Sequence, residues 1–161
     1  MSIKALQEYT YWAKYARHNK LAKRRETWNE AVSRVEEMHI RKYPQIEKEI
    51  RWAFDQVRPR RVLGSQRALQ FGGEPIERKN ARLYNCTATY CDRMRFFQEA
   101  FWLLLCGCGV GFSVQKHHVA KLPDFHADLS FRGGKRVFQI PDTIEGWADA
   151  LGVLLATYMP H

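Results

Sequence analysis

The sequence predicts an α/β chain, α+β over the stretch present: a helical N-terminal part, then alternation of strands and helices. Three observations carry this. Ala31, Val32, Val35 and Met38 fall on one side at helical spacing behind a helix-start signal. An apolar aromatic segment ending near Cys106 runs into glycines and then into Val110–Gln115, which reads as a buried strand. A second helix-start pattern, Asp142-Thr143-Ile144-Glu145, follows the strand region.

In order, residues 5–18 and 27–42 are predicted helices. The second opens on Thr27-Trp28-Asn29-Glu30, where the threonine hydroxyl and the glutamate carboxylate each satisfy a backbone amide left open at the helix start. Pro44 suits the first turn of a third helix, which runs to about Val57 and is broken by Arg58-Pro59-Arg60-Arg61. Gln70–Lys79 is predicted as a loop from Gly72-Gly73 and Pro75. Asp92 is placed to cap the helix that ends near Cys106, with Gly107, Gly109 and Gly111 stopping it. Lys121–Gly134 reads as irregular, Val137–Ile140 as a short strand, and the last helix runs to about Tyr158. The expected division is a basic helical region over 1–61 and the strand–helix part over 62–161.

Lys and Arg number 26 against 17 Asp and Glu, a net charge of +9, and the excess is uneven. Residues 1–61 carry 15 against 8, whereas residues 62–161 carry 11 against 9. A basic region suits an anionic partner such as nucleic acid, a nucleotide or an acidic protein; ordinary surface charge for solubility is the competing account. The start, MSIKALQEYTYWAKYARHNK, lacks the apolar segment of a secretion signal. The most apolar run, Phe101–Val114, is 14 residues with three glycines, where a membrane span takes ~20. The expectation is a soluble, cytoplasmic protein with no membrane partner and with reduced thiols.

All four cysteines fall within 23 residues, as Cys86-x4-Cys91 and Cys106-x-Cys108. Structural zinc takes paired ligands two to four residues apart; the second pair is too tight, although His117, His118 and His126 lie near in sequence. No metal site is expected. Cys106 and Cys108 read as small buried hydrophobes. Cys86, in the polar turn Tyr84-Asn85-Cys86-Thr87, is either buried and inert or a thiol facing a cleft. Gly107-Cys108-Gly109-Val110-Gly111 permits close backbone approach to a ligand. It follows a helix and opens a strand, the reverse of a dinucleotide-binding loop, and it lacks the Lys-Ser/Thr of a P-loop.

Taken in order, these pieces resemble the catalytic chain of the adenosylcobalamin-dependent (class II) ribonucleotide reductases. The carrying motifs are Gly64-Ser65-Gln66-Arg67-Ala68-Leu69, Gly72-Gly73, Leu83-Tyr84-Asn85-Cys86, the helix ending Phe101-Trp102-Leu103-Leu104-Leu105, Gly109-Val110-Gly111-Phe112-Ser113-Val114 and Leu122-Pro123. Arg24-Arg25-Glu26-Thr27-Trp28 is similar to the family's N-terminal helical domain, and Glu145-Gly146-Trp147 to the stretch after Pro123. The resemblance implies a helical domain followed by the first strand–helix elements of a ten-stranded α/β barrel.

It also implies chemistry. In the family a thiyl radical on one cysteine removes the ribose 3′ hydrogen, the 2′-hydroxyl leaves as water, and two further thiols become a disulfide. Cys86 matches the first of that reducing pair. Ser65 matches a substrate phosphate or ribose contact, and Asn85 lends backbone beside the ribose. Gly109, Val110 and Gly111 match the backbone wall next to the base. Asp92, with the start of its helix, matches the effector region for a deoxynucleotide. Departures are Gly64 in place of a usual proline, and Cys106 and Cys108 ahead of the glycine motif. A class that draws its radical from a separate metal-containing subunit shares the barrel and this first cysteine.

The family's radical cysteine, second redox cysteine, catalytic Glu and Asn, and C-terminal reducing tail have no counterpart here. The expectation is therefore a split reductase, as an interrupted gene or a phage genome could produce, with a second chain supplying the C-terminal part and most of the adenosylcobalamin site. The implied partners are that chain, a ribonucleotide substrate, a deoxynucleotide effector and a thioredoxin-like dithiol reductant. The alternatives are a non-catalytic module binding nucleotides or nucleic acid, and a regulatory subunit without turnover.

Overall fold

The computed structural model describes residues 2–126 and 137–159. The chain divides into two compact units, the first ending at Leu83 and the second starting at Tyr84.

The first unit is helical. Helix α1 spans Ile3–Lys14, shorter at its end than the expected 5–18, because the chain then turns into a hairpin of β1 (His18–Asn19) and β2 (Arg24–Arg25). Helix α2 spans Trp28–Lys42 and starts with the expected capping box: Glu30 N donates to Thr27 Oγ1 at 3.3 Å, and Thr27 N donates to Glu30 Oε2 at 2.6 Å. Pro44 opens a short 3-10 turn, Pro44–Ile46, that leads into α3, Glu47–Val57. The stretch Gln70–Lys79 is not a loop. Helices α4 (Gln66–Phe71) and α5 (Glu74–Arg78) meet there, with Gly72-Gly73 as their hinge and Pro75 in the first turn of α5. The glycine and proline signals were real, but they mark a joint and a helix start.

Val35, Met38, Ala68, Leu69 and Ile76 form the first unit's main core, and Tyr11, Ala16 and Ala31 a second cluster beside Tyr15 and Trp28. Arg34 ties them together. Its guanidinium donates to both Glu26 carboxylate oxygens at 2.8 Å, to the Leu69 carbonyl at 2.9 Å and to the Gly72 carbonyl at 3.0 Å. Helix α3 ends through two bonds, Arg60 N to Val57 O and Arg61 N to Gln56 O, with Arg60 at φ +59°. That left-handed stop position normally takes glycine; the Arg60 side chain offsets the strain by pairing with Glu8 at 2.6 Å and lying 4.8 Å over the Trp28 ring.

The second unit begins with β3, Cys86–Tyr90, then α6, Arg95–Leu105, then β4, Gly109–Ser113. The two strands are parallel, in register from Cys86↔Gly109 to Tyr90↔Ser113, so β3–α6–β4 is one crossover unit. The described residues contain this one parallel pair and not a ten-stranded barrel. Helix α6 ends as the glycines predict: Gly107, at φ +90°, donates to Leu104 O, and Cys108 N donates to Leu103 O. A short helix α7, Lys116–Val119, follows, and α8, Ile144–Tyr158, packs on α6. Thr143, not Asp142, caps α8 by accepting from Gly146 N at 2.9 Å. Residues 137–140 do not form the expected strand; Val137 is 94% exposed, without a partner strand among the described residues. Residues 121–126 are irregular as expected, and 127–134 lie outside the described residues. Among the described residues, no helix is long and apolar enough to cross a membrane.

Candidate active site

The polar turn expected around Cys86 is a strand, and this changes what its neighbours are. In β3, Cys86, Ala88 and Tyr90 are exposed, while Thr87 and Thr89 are half-buried. A strand's side chains alternate between faces. Parallel register therefore sets Cys86 beside Gly109, Ala88 beside Gly111 and Tyr90 beside Ser113 on the open face. The opposite face carries Val110, which packs on Cys91, Phe96 and Ala100 beneath the sheet. Phe112 joins it, with its ring 5.1 Å from that of Phe96.

The open face is thus a shelf: one thiol, one methyl, one phenol, one hydroxyl, and two positions with no side chain. A Cβ built on Gly109 would meet Asn85 O at 3.6 Å and Cys86 Sγ at 3.9 Å, and one on Gly111 would meet only Thr87 O at 3.8 Å. Both are ordinary contacts. The chain's packing glycines behave otherwise: a Cβ at Gly72 would fall 2.4 Å from Ala68 O, at Gly146 2.4 Å from Pro141 O, and at Gly152 2.2 Å from the Gln98 side chain. The backbone oxygens require glycine at 72 and 146, the Gln98 side chain at 152 can swing aside, and the fold does not need glycine at 109 or 111.

The four thiols sort by burial. Cys86 is exposed, whereas Cys91, Cys106 and Cys108 are 6%, 1% and 3% exposed. Burial, with Asp92 adding to it, raises the Cys91 pKa and keeps it a thiol. Cys108 Sγ donates to the Tyr84 carbonyl at 3.3 Å. Cys86 alone could meet a substrate or a second thiol.

Of the other expected site residues, Asn85 stands at the head of β3, and its carbonyl accepts from Gly109 N at 2.8 Å. Val110 keeps its backbone at the shelf but turns its side chain away. Ser65 belongs to the first unit, where it is exposed just before α4. Asp92 lies two residues beyond the far end of β3, the end opposite Cys86. It does not cap α6, which starts at Arg95 with Met94 in the cap position. It pairs instead with Arg93 at 2.7 Å, and that bond lowers its pKa.

Sequence reasoning missed the far end of the shelf. The His118 ring lies 4.6 Å from that of Tyr90, and His118 Nδ1 is 3.0 Å from Ser113 Oγ. Desolvation, then the neighbouring His117, lowers the His118 pKa, which favours a neutral imidazole. The alternation Cys86-x-Ala88-x-Tyr90 was the available signal, had the stretch been read as a strand. Among the described residues, no group of three His, Cys, Asp or Glu stands together to hold a metal ion.

No family model and no curated protein matches this sequence. A solved structure does match: the crystal structure of a B12-dependent (class II) ribonucleotide reductase, with a TM-score of 0.76 and 22% sequence identity. The match covers 95% of this chain and 30% of that one, so the chain spans about a third of the reductase it is similar to. The shared feature is the fold, and the structural neighbour is of the same enzyme class that the order of motifs resembles.

Proposed function

We propose that this chain is one piece, the N-terminal one, of a ribonucleotide reductase, and that Cys86 is one of its two reducing thiols. The observation that carries the reading is the shelf itself. An exposed thiol borders two glycines that the fold does not require, on a chain whose fold matches part of a B12-dependent reductase. Glycines kept where packing does not demand them leave room for something that comes close.

The reaction balances as follows. The C2′–O bond of the ribose breaks and its oxygen leaves as water; C2′ gains hydrogen. Two thiols give up two electrons and two protons, and an S–S bond forms between them. Cys86 supplies one sulfur. The other comes from outside this set, because the three remaining cysteines are buried. That need supports a second chain, the C-terminal part of a split reductase completing the ten-stranded barrel over the open sheet. On the same reading, the backbone of Asn85, Gly109, Val110 and Gly111 walls the ribose and base, and Ser65 contacts a phosphate or the ribose. Asp92 and the start of α6 meet the deoxynucleotide effector, a dithiol protein re-reduces the disulfide, and the setting is cytoplasmic.

Among the described residues, the large groove of the second unit does not fit adenosylcobalamin. This groove, of about 750 Å³, is lined by Phe101, Trp147, Leu151, Leu154 and similar side chains, with Thr157 among them. A corrin carries a rim of amides that such walls would leave unbonded. The cofactor therefore belongs to the rest of the reductase.

The test is reconstitution. This chain is purified with the product of the neighbouring reading frame and given adenosylcobalamin, a dithiol and ribonucleotides, and deoxyribonucleotide is quantified against each chain alone. Product is expected from the mixture alone, and is expected to vanish with Cys86→Ser while the fold stays intact. Sustained multiple turnover by the Cys86→Ser enzyme would remove the assignment. An intact pair that associates without turnover would favour a regulatory or nucleotide-binding subunit.

A further inference from the structure

We propose that the first unit carries a second small-molecule site, separate from the Cys86 shelf, whose ligand is a nucleobase. A cavity of about 360 Å³ opens between α1, Trp28 at the start of α2, the turn 60–66 and Leu69 of α4. That volume lies in the range of small-ligand pockets. The inference does not rest on the reading of Cys86.

The wall chemistry narrows the ligand. Three aromatic rings line the cavity, and the polar atom of each is already engaged. Tyr11 OH bonds the carbonyls of Glu26 at 3.0 Å and Thr27 at 2.7 Å, and Trp28 Nε1 donates to the Arg58 carbonyl at 2.8 Å. Tyr15 OH donates to Gln66 Oε1 at 2.6 Å. The rings therefore offer carbon surface rather than hydrogen bonds. Burial pushes the Tyr11 pKa up to about 12, so that ring stays neutral.

The polar edge offers both donors and acceptors: Gln7 and Thr10 line it beside Gln66 and Arg60, and the Thr10 hydroxyl, which donates to the Leu6 carbonyl at 2.8 Å, keeps its oxygen as an acceptor. With its oxygen taken by Tyr15, the Gln66 amide is oriented and its NH₂ remains to donate. Arg60 adds a guanidinium held over Trp28 at 4.8 Å and anchored by Glu8 at 2.6 Å. A cation at the mouth disfavours cationic ligands. Aromatic walls favour a flat ring, since base–aromatic and base–guanidinium stacking stabilise each other's faces. An edge with both donors and acceptors suits a ring that carries acceptor nitrogens or carbonyls together with amino or ring N–H donors. A nucleobase meets all three conditions. Aliphatic Leu6 and Leu63 on the rim, 49% and 52% exposed, would be covered by it.

The experiment is calorimetric titration of the full chain with adenosine, guanosine, cytidine and uridine, which lack phosphate, and with ribose 5-phosphate as the base-free control. Binding of at least one nucleoside, but not of the control, is expected. Gln66→Leu should weaken it by about tenfold, the worth of one lost donor. Leu6→Trp, a rim change that blocks the opening, should abolish it, with circular dichroism confirming an unchanged fold. Gly109→Val, which obstructs the shelf in the other unit, removes any nucleoside bound there, and the effects of Gln66→Leu and Leu6→Trp are read in that background. Absence of nucleoside binding overturns the proposal. So does binding that survives both pocket variants or disappears with Gly109→Val, and so does equal binding of ribose 5-phosphate.

Discussion

Replacing Gly109 or Gly111 with alanine separates two accounts of the glycine motif. If glycine is there for packing, a methyl must force something aside and the fold must weaken. The geometry says otherwise, since the nearest atoms to a new Cβ are 3.6 Å away at Gly109 and 3.8 Å at Gly111, and neither backbone is left-handed. Glycine inside a strand costs about 0.5–1 kcal/mol against alanine through the freedom it loses on folding. Each variant should therefore be as stable as the parent or more so, by up to about 1 kcal/mol. That corresponds to a rise of roughly 2–4 °C in Tm for a chain of this size. In the reconstituted enzyme the same methyl stands where ligand backbone clearance is needed. Displacement of a substrate by about 1 Å costs on the order of 10²-fold in rate. Differential scanning calorimetry and turnover, measured on the same preparations, read both quantities. A loss of more than about 1 kcal/mol on either substitution would return the glycines to a packing role. Full turnover by Gly109→Ala would show that no ligand approaches β4 there.

Three further outcomes follow from the first unit. Glu36 is 5% exposed and is held by Arg58, with Arg51 Nη1 at 3.9 Å as a distant second. Arg58→Met should cost about 2–4 kcal/mol by leaving a buried charge, with Glu36→Leu restoring most of it in the double variant; urea midpoints measure both, and a single-variant loss under about 0.5 kcal/mol would refute the pairing. The Arg24 guanidinium and the Thr27 amide hold the Glu30 pKa down to about 2. A depressed carboxylate contributes stability above its unfolded pKa, near 4.3, and loses it as pH falls toward 2. Arg24→Gln, which removes the larger cause while the Thr27 amide stays, should therefore show its stability loss in full at neutral pH and approach the parent across that acid window. At the α3 stop, Arg60→Gly should stay within about 1 kcal/mol of the parent, because relief of the left-handed strain offsets the lost Glu8 and Trp28 contacts. Arg60→Ala keeps the strain and loses the contacts, so it should be less stable than Arg60→Gly; equal stabilities would mean that the backbone there carries no cost.

Local chemistry was legible where one residue type has one use. The Thr27–Glu30 box, the proline start after Tyr43 and the Gly107 stop were each readable because a cap or a left-handed turn has few candidate side chains. Strand β4 was legible from its apolar run. Strand β3 was not: Cys86-Thr87-Ala88-Thr89-Tyr90 alternates small half-polar residues, and its strand character comes from pairing with β4 across 23 residues of sequence. Val137–Ile140 failed for the converse reason, since β-propensity without a partner strand makes no ladder. Asp92 looked like a cap but found Arg93 closer at hand than a helix amide. The candidate site inherits this division. Cys86 and the glycines could be picked out one by one, but that they share a face while Val110 does not is a fact of register, visible only once β3 exists.

That register also bears on why the shelf is incomplete as it stands. Parallel sheets are normally covered on both faces, yet here α6 covers one face and the other shows Cys86, Ala88 and Tyr90 to solvent. A covering layer would serve two needs with one surface. It would close the sheet, and it would bring a second sulfur to within the 4–7 Å Cα separation that a disulfide demands. The other three thiols are buried away from the shelf: Cys91 lies in the core beneath the sheet, Cys106 and Cys108 are buried at the end of α6, and Gly109, the residue paired with Cys86 on the open face, has no side chain. Oxidation of the isolated chain with a mild disulfide should therefore give a mixed disulfide at Cys86 and no internal bridge. Mass spectrometry would register one adduct, on the peptide that carries Cys86. An internal Cys86–Cys91, Cys86–Cys106 or Cys86–Cys108 bridge formed without loss of fold would mean that the reducing pair is complete within this chain and that no outside sulfur is required.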